Sequence, residues 1–247
     1  ISTDMGATHA CASAAPDHYE LSLASAGIAC AGTTVTGKAC ADSTSPCTSL
    51  ATNLAGQTAT LAASAGTLDA TTLVFDASGT ATTTLRHPTA SNGANAGVTL
   101  SNEQTAAAQP RQCCPDGASC AAANSCTTTF ASAGFIVAAA VNTGATTVPS
   151  QIAGTPSTTH VLRAVRTNTT TLACEAALSG TTSIDWAAQC HDPGTCSPGN
   201  LMTVTGNAAS TVASNPASGI TTTTPVAMDF DANGNAPFTF TYADAGQ

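Results

Sequence analysis

Charge is what this chain has least of. Charged side chains make up 8% of its 247 residues, against roughly a quarter in ordinary soluble proteins. Basic residues number 5 and acidic residues 14, for a formal net charge of −9 at pH 7. Lys38 is the sole lysine. A surface so poor in cations cannot neutralise a run of phosphates, which excludes nucleic acid as a partner. Attraction to anionic headgroups is disfavoured on the same ground. Aromatic residues are also scarce, at 4%, so a core must be assembled from small side chains that each bury little area. Long apolar runs are missing too: "FIVAAAV" at 135–141 is far short of the roughly 20 residues that cross a bilayer as a helix. Direct membrane insertion is not expected. The opening "ISTDMGATHA" has neither the basic start nor the apolar stretch of a secretory signal, so the chain reads as a mature, exported piece of a longer product.

What it does have is cysteine. There are 11, few of them at metal-ligand spacing, which argues for disulfides and an oxidising compartment. An apolar share of 43% opposes intrinsic disorder, and disulfides supply the stability that a small-residue core lacks. In "CCPDGASCAAANSC" four thiols crowd together, Cys113, Cys114, Cys120 and Cys126. Structural zinc sites space their ligands as paired knuckles. A vicinal pair fits one tetrahedron poorly, so a disulfide-stapled loop is the plainer reading. Two short loops, Cys40–Cys47 and Cys190–Cys196, are expected to close as disulfides in equivalent places. That leaves Cys174 over in the second half, to stay free or to pair elsewhere.

The equivalence of those loops comes from an internal repeat. "VFDASGTATTTLRH" at 74–87 lies over "DFDANGNAPFTFTY" at 229–242 without a gap, and a repeat of this length is a domain. Within each copy the hydrophobic period is two: Val226, Met228 and Phe230 point one way, as do Phe238, Phe240 and Tyr242, with Thr239 and Thr241 between them facing solvent. Thr-laden alanine stretches disfavour helix. Short strands with regular turn signals predict an all-β chain of two tandem immunoglobulin-like β-sandwich domains stapled by disulfides. The first is placed at 1–137 with a cysteine-rich insertion at 113–126, the second at 138–247. "DFDANG" also looks like the start of a calcium loop, with Asp229, Asp231 and Asn233 as ligands. Loop position 12 would then be Phe240, where such a loop needs a bidentate acid. The first copy has Val74 in place of Asp229. The shared Asp-Ala-(Ser/Asn)-Gly reads as a hairpin turn with glycine at positive φ ahead of a cation site.

Catalysis finds no frame. None of the histidines at 9, 18, 87, 160 and 191 sits in a nucleophile–base motif, so no enzyme and no cofactor is expected beyond the calcium candidate. Trp186, the only tryptophan, is a candidate stacking platform for a sugar, although a core so poor in aromatics needs it as an anchor. "NTT" at 168–170 is a glycosylation sequon.

Several stretches together resemble one family. "DHYELSLASAGIACAGTTVTGKACADSTSPC", "FDASGTATTTLRHP", "QPRQCCPDGASC" and "SCTTTFASAGFIV" are similar to the C-terminal region of MshQ-like proteins. Those are exported proteins of the mannose-sensitive haemagglutinin (MSHA) type IV pilus locus. "HVLRAVRTNTTTLACEAAL" and "FDANGNAPFTFTYADAGQ" resemble the next module of the same region. The resemblance implies an extracellular or pilus-associated structural or adhesive module of a bacterial surface. Its partners would be copies of itself, other surface or pilus proteins, or glycans, and it could assemble into a filament. The alternative is a carbohydrate- or calcium-dependent lectin-like domain. In the resembled family a further strand follows "YADAGQ", so the second sandwich is expected to lack its last strand and to leave an open sheet edge along 236–242.

Overall fold

A computed structural model describes residues 15–139, 148–190 and 201–243. It divides into two compact units, Ile1–Ser132 and Ala133–Gln247. Among the described residues the only helical turns are Thr52–Leu54 and Pro115–Gly117. The rest of the regular structure is strand, so the chain is all-β.

The strands of the first unit are β1 (His18–Leu23), β2 (Ala26–Ile28), β3 (Thr33–Cys40), β4 (Thr58–Ala63), β5 (Thr67–Leu68), β6 (Thr72–Val74), β7 (Thr80–Arg86), β8 (Ala94–Ser101), β9 (Gln112–Cys113), β10 (Ala121–Ala122) and β11 (Ser125–Ala131). They form one six-stranded sheet, β10-β9-β1-β3-β7-β5, and one five-stranded sheet, β2-β11-β8-β4-β6. Alternation along β3, β7, β8 and β11 points one face of each inward. The two inner faces meet on a core that includes Leu21, Val35, Leu61, Leu85, Val98 and Phe130. Two of its few large rings, Tyr19 and Phe75, stand 5.5 Å apart. The Tyr19 hydroxyl donates to the Thr105 carbonyl at 2.8 Å. Burial, helped by the Glu103 charge, pushes this phenol up to about 12.

The second unit has β12 (Ala133–Ala138), β13 (His160–Thr167), β14 (Cys174–Ala176), β15 (Gly180–Gln189), β16 (Thr203–Thr205), β17 (Ala209–Thr211), β18 (Ala213–Asn215), β19 (Thr224–Phe230) and β20 (Asn235–Thr241). One sheet runs β12-β13-β20-β16-β17 with β14 also on β13, and a second runs β18-β15-β19. Val226, Met228 and Phe230 of β19 share one core with Ala236 and Phe238 of β20.

Three expectations need correction here. Residues 133–137 belong to the second unit, because β12 pairs along its whole length with β13, from Ala133↔Arg166 to Ala138↔Val161. The division therefore falls before Ala133. The Asp-Ala-(Ser/Asn)-Gly turn is not the tip of a hairpin. The strands on either side of it, β6 and β7 in one copy and β19 and β20 in the other, lie in different sheets, so the turn carries the chain across the sandwich. Finally, β20 is not a bare edge along its length: it pairs with β13 through Asn235–Phe238 and with β16 through Thr239–Thr241, one strand neighbour to each half. Its two halves use opposite sides, which a period-two pattern cannot reveal.

Candidate functional site

The alternation of β1 sends Tyr19, Leu21 and Leu23 into the core and should leave His18 and Glu20 in water. Instead His18 is 2% exposed and Glu20 1%. Glu20 is the only acid fully buried among the described residues. Two cystine loops lie against this outer face. One is closed by Cys40–Cys47, the other by Cys114–Cys120. The second loop is brought there by the pairing of β9 with β1, Glu20↔Gln112 and Leu21↔Cys113, and by the Cys114 N–H donating to the Leu21 carbonyl at 2.9 Å. A third cystine, Cys113–Cys126, joins β9 to β11 and thereby one sheet to the other.

Between these loops sits a compact set of charges. Lys38 is the cross-strand partner of Glu20 on β3, and its Nζ lies 3.7 Å from Glu20 Oε2. That oxygen has no hydrogen-bond partner. The other oxygen, Oε1, accepts the Cys47 backbone N–H at 2.7 Å and the Ser45 hydroxyl at 3.4 Å. His18 bridges two carboxylates, with Nδ1 3.0 Å from Asp17 Oδ1 and Nε2 3.4 Å from Glu20 Oε1. Cys120 Sγ stands 3.7 Å from the same oxygen. The chemistry on offer is that of a buried carboxylate facing an amine. His18–Glu20–Cys40 and Glu20–Cys114–Cys120 have the proximity of metal ligands, but all three sulfurs are in disulfides and so are not the thiolates that bind zinc.

The residues singled out from sequence are distributed as follows. Cys40 bonds Cys47, and the crowded four pair as Cys113–Cys126 and Cys114–Cys120. Cys190 is disulfide-bonded, while Cys196 lies outside the described residues. Cys174 is also disulfide-bonded, so of the two alternatives left to it, staying free or pairing elsewhere, it takes the second. Trp186 is half-buried on β15, with its ring centroid 5.0 Å from that of Phe238, so it packs as part of the second core.

The calcium candidates are engaged by the protein itself. Asp231 Oδ1 accepts the N–H groups of Asn233 and Asn235 at 2.8 and 2.9 Å. In the first copy Asp76 Oδ1 does the same with Ser78 and Thr80, at 2.8 and 3.0 Å. Asp229 points away to the Thr181 hydroxyl on β15. Gly79 and Gly234 share a φ of +77°, and a Cβ at Gly234 would come within 2.5 Å of the Ala164 carbonyl oxygen, so both position and conformation demand glycine. The Ser78 hydroxyl first, then the Thr80 N–H, hold the Asp76 carboxyl down at about 2, from an ordinary 3.8. A depressed carboxylate stabilises above the unfolded value and loses that contribution as pH falls through the folded one. The Asp76 turn should accordingly hold from neutrality to about pH 4 and loosen between about pH 4 and 2. A carboxyl carbon titration by NMR with a midpoint near the ordinary value would refute this.

Asn168 of the sequon is engaged as well. Its Oδ1 accepts the N–H groups of Thr170 and Thr171, and its Nδ2 donates to Glu175 at 2.6 Å. Asn168 first, then Arg166, holds the Glu175 carboxyl below its usual range. A sugar on Nδ2 would displace that bond. Once the unit has folded, therefore, Asn168 should not accept glycan from an oligosaccharyltransferase, and a glycosidase-sensitive mass shift on folded protein would contradict the assignment.

Glu20 escaped the sequence reading because "HYELSL" places it on the polar side of an ordinary half-exposed strand. The available signal was the sole lysine, Lys38, in a neighbouring strand that ends at Cys40.

Comparison with known proteins places these features in context. No curated protein matches the chain. One similar solved structure, described as the Yersinia pseudotuberculosis adhesin InvE, is 18% identical at a TM-score of 0.29, over 91% of this chain and 51% of that one. The chain thus spans about half the length of that structure, and a likeness so slight carries no argument. Residues 17–104 match the profile of a domain of unknown function, DUF8613. The profile described as domain of unknown function DUF6701, first Ig-like domain, matches residues 110–247, more than half of the chain, and the chain belongs to that family.

Proposed function

We propose that this chain is an extracellular structural or adhesive module of a bacterial surface protein, associated with a type IV pilus of the MSHA kind. The observation that carries the reading is the cystine pattern of the first unit. Three disulfides within residues 40–126 pin loops and sheets of a small-residue sandwich, a pattern that forms and persists in an oxidising compartment. The Ig-like family and the scarcity of cations support the same reading. Ig-like sandwiches in tandem act as spacers that present or connect other parts of a surface protein. The role is mechanical and adhesive rather than catalytic, with other surface or pilus proteins, or further copies of the chain, as partners.

Immunogold labelling of intact cells with an antibody raised against residues 15–139 tests it. Label on the cell surface or along pili is expected. Label found only after the envelope is permeabilised would overturn the proposal.

A further inference from the structure

The buried carboxylate of Glu20 faces the only amine side chain the protein owns. Every other carboxylate ion pair among the described residues that uses a long cationic side chain uses arginine: Arg86–Asp69, Arg111–Glu103 and Arg166–Glu175. Arginine is the better partner for a carboxylate, because its planar fork binds both oxygens and is weakly hydrated. Lysine differs in one chemical respect that matters here: its amine is a nucleophile once deprotonated. The least favourable cation for pairing thus stands at the most buried acid.

We infer that Lys38 and Glu20 are sites of covalent modification: the Lys38 Nζ and the Glu20 carboxyl carbon condense to an intramolecular amide that crosslinks β1 to β3. The arrangement offers what such a condensation needs. The two residues are direct cross-strand partners, so the reacting groups are held side by side by the sheet, and this proximity replaces an encounter in solution. Nζ is 3.7 Å from Oε2, which is one bond from the carbon to be attacked. Oε1 is already held by the Cys47 N–H at 2.7 Å and by Ser45, donors placed where negative charge develops in the tetrahedral intermediate. Oε2, with no hydrogen-bond partner, is the oxygen free to leave.

The balance closes without a co-reactant. The ammonium passes one proton to Oε2, and the freed lone pair on Nζ forms the N–C bond. A second proton follows from nitrogen to Oε2, the C–Oε2 bond breaks, and one water departs. Nothing is oxidised or reduced. The product replaces an ion pair that is costly to desolvate with a neutral amide. Because Glu20 is 1% exposed, little water reaches the product to reverse the step. The inference stands on this geometry alone and does not depend on the surface role proposed above, although a crosslink would keep β1 from peeling off β3 under load.

The test is intact-mass analysis of the chain isolated with its cystines formed, then denatured and fully reduced, with amine-reactive labelling of the same sample. The expected result is a chain lighter than its sequence by the mass of one water, labelled at the α-amine and not at Lys38. Lys38→Arg, which keeps the cation but removes the nucleophile, should sit at its own sequence mass, and Glu20→Ala should restore labelling of Lys38. A wild-type chain at full sequence mass, with most molecules labelled at Lys38, overturns the inference. So does a water-deficient mass that persists in Lys38→Arg. The primary measurement is made on the wild-type protein, so poor folding of either variant leaves it decisive.

Discussion

Replacing Cys113 and Cys126 together with alanine should cost the first unit about 3 kcal/mol and lower its melting temperature by roughly 10 °C. This cystine closes a sequence separation of 13 residues, for which the loss of loop-closure entropy in the unfolded chain alone predicts about that value. It also joins strands of opposite sheets, β9 to β11. Both residues are buried in the first core, so their removal adds a small cavity. Losing Cys40–Cys47 or Cys114–Cys120, with separations of 7 and 6, should cost somewhat less, about 2 kcal/mol each. Calorimetry of the double variant checks the value. The second unit's transition should stay in place, and a first-unit midpoint unmoved by the double substitution would show that the sheets hold without the staple.

Trp186→Ala should destabilise the second unit by about 3 kcal/mol, the low end for truncating a large aromatic, because the ring is only half-buried. Trp186 packs on Phe238 at 5.0 Å, Phe238 on His160 at 5.8 Å, and His160 on Phe240 at 5.5 Å. In a chain with so few aromatics these rings make up much of the second core, and removing one leaves a void that small neighbours cannot fill. The second transition should fall by roughly 10 °C with the first unmoved. Trp186→Phe separates packing from sugar stacking. It should restore most of the stability and leave retention on immobilised glycans unchanged, whereas a stacking platform would lose retention while the fold survives.

The strands were legible because period-two alternation is written directly in residues such as Val226, Met228 and Phe230, which do line the second core. The turn at Asp76 and Asp231 was legible from its side chains and its glycine. What was not legible was which sheet each flanking strand joins. Pairing partners such as β4 for β6 or β15 for β19 are not written in the strand itself, because alternation fixes a face without fixing a neighbour. The same limit misplaced β12, whose apolar pattern in "FIVAAAV" fits the edge of either unit. Glu20 stayed hidden for a different reason. Its burial comes from two cystine loops folding over the outside of β1, a tertiary event that overrides the strand's own polar face. Cysteine spacing closed the Cys40–Cys47 loop in prospect, but it could not say what the loop would cover.

A stapled sandwich buries the outer face of β1 beneath two specific cystine loops. Partial reduction and alkylation, followed by peptide mapping of protein recovered from an oxidising compartment, tests it most directly. The vicinal Cys113 and Cys114 cannot be separated by simple proteolysis, so stepwise opening is needed to tell their partners apart. The expected pairs are Cys40–Cys47, Cys113–Cys126 and Cys114–Cys120. The exchanged pairing of Cys113 with Cys120 and Cys114 with Cys126, or free thiols at Cys40 and Cys47, would contradict it.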